Sequence, residues 1–179
     1  AHLLAQAVKE IYPQAKIVFC GVHSTVLPKE VIGQLEIDIV VKGEGEITFY
    51  EILSDRRLSD IDGIVYQDEH QIIFNKQRQR IDNLDSLSFP AYDLLPMDKY
   101  YPALGAYKKL PAMSMLTARG CPGRCTFCNK TLGERMVFRS ADSLIEEIKL
   151  LIKDHGIKQI MFYDDTFTID RKRVYGICE

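Results

Sequence analysis

A chain of 179 residues is long enough for one ordinary domain or two small ones. Hydrophobic residues make up 46% and charged residues 27%, a soluble globular balance rather than a disordered one. The net charge of −2 lacks the basic excess of a nucleic-acid binder, and no apolar run approaches the roughly 18 residues that span a bilayer.

The first residues, AHLLAQAVKE, lack the charged start, apolar middle and small-residue cleavage site of a secretory signal, so the expected location is cytoplasmic. There is no initiator Met, and Leu3, Leu4, Ala7, Val8 and Ile11 open at once in a helical pattern. The chain closes on RKRVYGICE without a Gly or Pro stop. Both ends predict a fragment of a longer protein.

Residues 1–58 alternate helix and strand, which predicts a parallel α/β layer. After the first helix, the apolar run Lys16–Cys20 ends in Gly21, and Pro28 stands where a helix can begin. IDIVVKG has the β-branched density of a buried strand and ends in GEGE, after which ITFYEIL resumes a helical spacing. Residues 59–110 change character. GIVYQ and QIIFN flank Asp68-Glu69-His70 as a hairpin, and a stretch carrying Pro90, Pro96 and Pro102 then reads as an inter-domain connector packed along a surface. Residues 111–179 return to α/β. AMSMLTA is a predicted strand, and residues 119–133 a loop. Ser140 caps a helix with Leu144, Ile145, Ile148 and Ile152 on one face and Gly156 as its terminator, and IKQIMFY is a second buried strand ending at Asp164 and Asp165.

Five cysteines are present, and three of them, Cys121, Cys125 and Cys128, crowd into one C-x3-C-x2-C loop. An odd count clustered in this way is a poor disulfide framework and a better metal site. A four-iron cluster normally takes four thiolates. Three closely spaced ones leave one iron open, where S-adenosylmethionine can bind through its amine and carboxylate and be cleaved to a 5′-deoxyadenosyl radical. The competing reading is structural zinc, which wants four protein ligands. No His or fourth Cys lies near this loop, and Cys178 is 50 residues beyond Cys128. Cys20 reads as a small buried apolar residue, His23 as a hydrogen-bonding loop residue and His155 as a partner of the helix dipole; His2 and His70 suggest no role.

From Pro111 to Glu179, the RGCPGRCTFCNK loop resembles the radical S-adenosylmethionine superfamily. The resemblance implies a partial (β/α)6 barrel whose first two β/α units lie in this chain, with the active site at the C-terminal ends of its strands. It implies Phe127 near the adenine and Asp164 or Asp165 near the methionine amine; the plainer role for these acids is an N-cap or turn before a helix at Asp170. FCGVHSTVLPKEVI, IDIVVKGEGEITFYEIL and LDSLSFPAYDLL, in that order, are similar to the cobalamin-binding subgroup of the superfamily. There the end of a Rossmann-like domain precedes the barrel, and Gly21, Gly43, Gly45 and Glu46 would approach cobalamin. Cys20-Gly21 stands where the subgroup has a Gly-Gly pair, and no D-x-H-x-x-G motif is present. The implied reaction is methylation or rearrangement of an unactivated carbon, with ring formation or oxidation as the alternative within the subgroup. The implied partners are an electron donor such as flavodoxin or ferredoxin and a small-molecule, lipid or tetrapyrrole-like substrate. A zinc-binding interaction module, or an α/β domain that only docks, remains the reading from a different class.

Overall fold

The structure is a computed structural model that describes residues 1–34, 36–69, 71–103 and 105–179, so His70 of the expected hairpin loop lies outside the described residues. The chain forms two compact units, Ala1–Ile81 and Asp82–Glu179.

In the first unit, β1 (Val18–Phe19) and β2 (Ile39–Val41) are parallel, and the helices α1 (His2–Ile11), α2 (Val22–Val26) and α3 (Pro28–Ile32) flank them in sequence. The helix α4 (Glu46–Leu53) follows β2. β3 (Ile64–Asp68) and β4 (Gln71–Phe74) form the expected hairpin, but they extend the same sheet in the order β1-β2-β3-β4, with Val40 opposite Val65. The boundary therefore falls at 81/82 and not at 58. Burial explains the shift. All three residues of β2 are buried, so it is a central strand that needs a partner on each edge, and β3 is the second. Alternate residues then feed two cores: Val31, Ile32, Ile37, Val40 and Val65 in one, Ile39, Val41, Ile61, Ile64 and Tyr66 in the other. The sheet is mixed, where a parallel layer was expected.

In the second unit, the proline-containing segment folds into short 3-10 turns at Leu84–Ser86, Tyr92–Leu94 and Met97–Lys99. β5 (Ala112–Met115) and β8 (Gln159–Phe162) are parallel neighbours in register Ala112 to Gln159, joined through the helix α5 (Ala141–His155). The helix α6 (Arg171–Cys178) follows β8. Ser140 Oγ accepts from Ser143 N at 3.1 Å, and Gly156 closes α5 at φ +63°. Two expectations shift here. The buried face of α5 runs through Leu144, Glu147 and Leu151, leaving Ile152 exposed, and β8 is half-buried along its length. Tyr92 from the 3-10 segment joins Met115, Leu144, Leu151 and Ile157 in the core, so this segment belongs to the second unit as packed structure. Asp85 fastens it further, both carboxylate oxygens accepting from Ser140 N at 3.0 and 3.2 Å. Burial raises the Asp85 pKa, but hydrogen bonds from Ser140 and Ser143 outweigh that and hold it below the usual carboxylate range.

Among the described residues, no helix is long and apolar enough to cross a membrane.

Candidate functional site: the cysteine loop

Between β5 and α5 the chain makes a hairpin the sequence reading did not anticipate: β6 (Ala118–Arg119) pairs antiparallel with β7 (Val137–Phe138). The cysteine loop is what this hairpin carries. Its root is closed by Cys121 N donating to Gly133 O at 3.1 Å. Gly120 makes the turn at φ +93°, and a Cβ there would lie 2.3 Å from the Arg135 carbonyl oxygen, so only glycine fits.

Within the loop, Cys121 is half-buried and Cys125 and Cys128 are exposed. Cys128 N donates to Cys125 O at 3.2 Å, which holds the C-x2-C portion as a turn. A Cβ built on Gly123 would lie 3.3 Å from Cys121 Sγ and 3.9 Å from Cys125 Sγ, so the bare glycine lets the loop backbone pass close to two sulfurs. Among the described residues, no three His, Cys, Asp or Glu side chains converge on a point that would hold a single metal ion. An iron–sulfur cluster takes each thiolate on a different iron, so its ligands surround a body and need not meet at a point. The all-thiol donor set fits a cluster. Phe127, at 91% exposure, stands out from the loop with its ring free.

At the end of β8 the two acids part. Asp165 is exposed. Asp164 is engaged with the start of the cysteine-bearing segment: its Oδ1 accepts from Thr117 N at 2.5 Å and Ala118 N at 3.0 Å, and its Oδ2 accepts from the Thr117 hydroxyl. The N-cap role expected nearby belongs to Asp170, whose Oδ1 accepts from Arg173 N at 3.1 Å. Sequence reasoning missed Arg173. Its Nη2 donates to Thr117 O at 3.0 Å and to the Thr117 hydroxyl, and its guanidinium lies over the rings of Phe138 and Phe167. Burial lowers the Arg173 pKa, with Asp164 and Asp170 opposing the shift. Its Nη1 is buried without a hydrogen-bond partner among the described residues.

In the first unit, Gly21 (φ +101°) and Gly43 (φ +77°) follow the parallel strands β1 and β2, and each has open space where a Cβ would stand. Thr25 joins them, its hydroxyl donating to Gly21 O at 2.8 Å and accepting from Gly43 N at 2.9 Å. The two glycine turns thus sit together at the carboxyl ends of a parallel pair, the usual ligand face of an α/β sheet. Gly45 and Glu46 start α4 beside them in sequence. Cys20, expected to be buried, is exposed, because β1 ends at Phe19. His23 reaches Glu30 Oε1 at 3.3 Å, and His155 packs edge-on against the Tyr92 ring.

Residues 115–178, from the end of β5 through α6, match the family model of the radical SAM superfamily. That match places the C-terminal part of the chain, residues 115–178, with the radical SAM superfamily. It is 39% identical to an uncharacterized methyltransferase of Pyrococcus horikoshii, over 99% of this chain and 39% of that protein. With an anaerobic magnesium-protoporphyrin IX monomethyl ester cyclase of Cereibacter sphaeroides it shares 28% identity, over 95% of this chain and 29% of the cyclase. The chain thus spans well under half the length of these relatives. Among solved structures it resembles the cobalamin-dependent S-adenosylmethionine radical enzyme OxsB with aqua-cobalamin and S-adenosylmethionine bound. The TM-score is 0.75 at 20% identity, covering 98% of this chain and 26% of that one, a likeness that carries the α/β fold alone.

Proposed function

We propose that this chain is part of a cobalamin-type radical SAM enzyme, in which Cys121, Cys125 and Cys128 hold three irons of a four-iron, four-sulfur cluster. The observation that carries this reading is the loop itself: three thiols on a hairpin that follows β5, with Gly123 passing close to two of them. When bound, such a cluster supplies the electron and the open iron position at which S-adenosylmethionine is cleaved. The chain's own residues do the holding. Gly120 turns the loop without steric cost, and the β6–β7 pairing fixes its two ends. Phe127 offers an aromatic face for the adenine, and the exposed Asp165 carboxylate is the acid at the end of β8 that can meet the methionine amine.

In this reading residues 82–179 open a partial (β/α)6 barrel, with β5 and β8 as its first two parallel strands and the cysteine loop on the C-terminal side. Residues 1–81 end a Rossmann-like cobalamin domain, where the Gly21 and Gly43 turns, with Gly45 and Glu46, would approach the corrin. The relationship to a methyltransferase across nearly the whole chain supports methylation of an unactivated carbon. A ring-forming or oxidative reaction on a tetrapyrrole-like substrate is the second reading, favoured by the cyclase relationship. Either reaction needs a one-electron donor of the flavodoxin or ferredoxin type.

Anaerobic reconstitution tests the reading. The expected result is about four irons with matching sulfide per chain, and an electron paramagnetic resonance signal of the reduced sample that changes when S-adenosylmethionine is added. Replacing any one of the three cysteines by alanine should abolish that signal while the far-ultraviolet circular dichroism stays unchanged. One zinc, no sulfide and no signal would overturn the assignment.

A further inference from the structure

Thr117 is fully buried in the short link between β5 and β6, four residues before Cys121, and every polar group it owns is used. Its N–H donates to Asp164 Oδ1, and its carbonyl accepts from Arg139 N at 3.0 Å and from Arg173 Nη2 at 3.0 Å. Its hydroxyl donates to Asp164 Oδ2 and accepts from Arg173 Nη2. Asp164 also takes Ala118 N, the first residue of the hairpin that carries the cysteines. Arg173 is held in turn: its backbone by the Asp170 cap, its guanidinium between the Phe138 and Phe167 rings, the latter stacked 4.6 Å from Phe162 of β8. An acid from the end of β8 and an arginine from α6 therefore both bind one buried threonine. The fold does not require this grip for pairing, because β5 and β8 already have their own ladder, continued by Tyr163 N to Met115 O at 2.9 Å. What the grip adds is a fixed exit direction for the chain between β5 and Cys121.

We propose that Asp164 and Arg173 are positioning residues that act through Thr117 to orient the cysteine hairpin, and hence the bound cluster, against the C-terminal end of β8. This rests on the reading of the cysteine triplet as a cluster site. Asp164, on this account, serves S-adenosylmethionine by placing the open iron and not by touching the cosubstrate, because its carboxylate already carries three hydrogen bonds.

The test uses the 179-residue chain with Thr117→Ser, Thr117→Val and Arg173→Lys, each reconstituted anaerobically. Three quantities are read: the melting temperature before cluster loading, the rate of iron loss to a chelator, and the electron paramagnetic resonance signal with and without S-adenosylmethionine. Thr117→Ser keeps every hydrogen bond and should match the wild type in all three. Thr117→Val keeps the shape and removes the hydroxyl. It should lose iron on the order of tenfold faster, for a lost interaction worth about 1.4 kcal/mol, and show an altered signal that no longer shifts fully with S-adenosylmethionine. Arg173→Lys keeps the charge but is shorter and lacks the planar guanidinium that lies over Phe138 and Phe167, so it should move the same way by a smaller factor. Iron retention and signals like those of the wild type in Thr117→Val would overturn the proposal. If that variant melts far below the wild type, Arg173→Lys decides: wild-type behaviour at normal melting would equally overturn it. Zinc without sulfide in the wild type is a separate outcome, and it would remove the cluster reading on which the proposal stands.

Discussion

Gly120 is the residue at which the cysteine loop is most constrained. Its backbone sits at φ +93°, and an added Cβ would meet a backbone carbonyl that cannot swing away, because Arg135 lies at the approach to β7. Gly120→Ala should therefore cost at least about 1–3 kcal/mol, seen as a lower melting temperature, and should reduce reconstituted iron. Substitution at Gly123 differs: its built Cβ meets a side-chain sulfur, so Gly123→Ala should fold normally and impair only cluster loading. The cysteines themselves were legible because ligand spacing is local. Thr117, Asp164 and Arg173 were not, because the bonds that join them span 47 and 56 positions, and RKRV reads like any solvated helix start. Asp164 drew attention as one of two adjacent acids at a strand end. Only the structure separates them, by giving one three donors and leaving the other in solvent.

The helix α5 fixes the 3-10 segment to the strand pair through a buried carboxylate. Glu147 is 2% exposed, and it accepts from the Tyr92 hydroxyl on one oxygen and from Arg139 on the other. A buried charge held by two donors is costly to strip of one. Tyr92→Phe should lower stability by about 1–3 kcal/mol, measured by urea denaturation at neutral pH. Burial first, and then the facing Glu147 carboxylate, push the Tyr92 pKa well above its usual range. A raised folded pKa means a contribution that is complete below the unfolded tyrosine value near 10 and lost as pH rises through the higher folded value. Wild-type stability should accordingly fall in alkali, and the Tyr92→Phe chain should lose less over the same interval. At this scale the sequence told more: β5, α5 and β8 all lie where periodicity and the Ser140 and Gly156 caps put them. It misplaced the buried face of α5, because a glutamate at a core position looks like solvent-facing polarity until its partners are known. It also missed β6–β7, since two-residue strands leave no periodic signal.

Across the whole molecule, the α/β class was legible from alternating strand and helix signals, whereas the division into units was not. A hairpin following a parallel α/β pair can belong to either neighbour, and the burial of all three β2 residues, which decides the matter, is a tertiary fact. The same scale sets what this chain can do alone. Radical chemistry needs the reacting carbon shielded from water and from competing hydrogen donors. In the second unit, two parallel strands present the cysteine loop, Phe127 is 91% exposed, and β8 is only half-buried. An open cluster on such a surface can bind S-adenosylmethionine and pass it one electron, but the radical would be quenched by hydrogen donors of the protein or buffer before any substrate was oriented. The 179-residue chain, reconstituted and reduced with excess dithionite, should release 5′-deoxyadenosine in a course that decays with time, because each unprotected radical takes its hydrogen from the protein or buffer and damages the site. Chromatographic quantification of 5′-deoxyadenosine against time decides it. A course that stays linear while the iron content is unchanged would overturn that expectation.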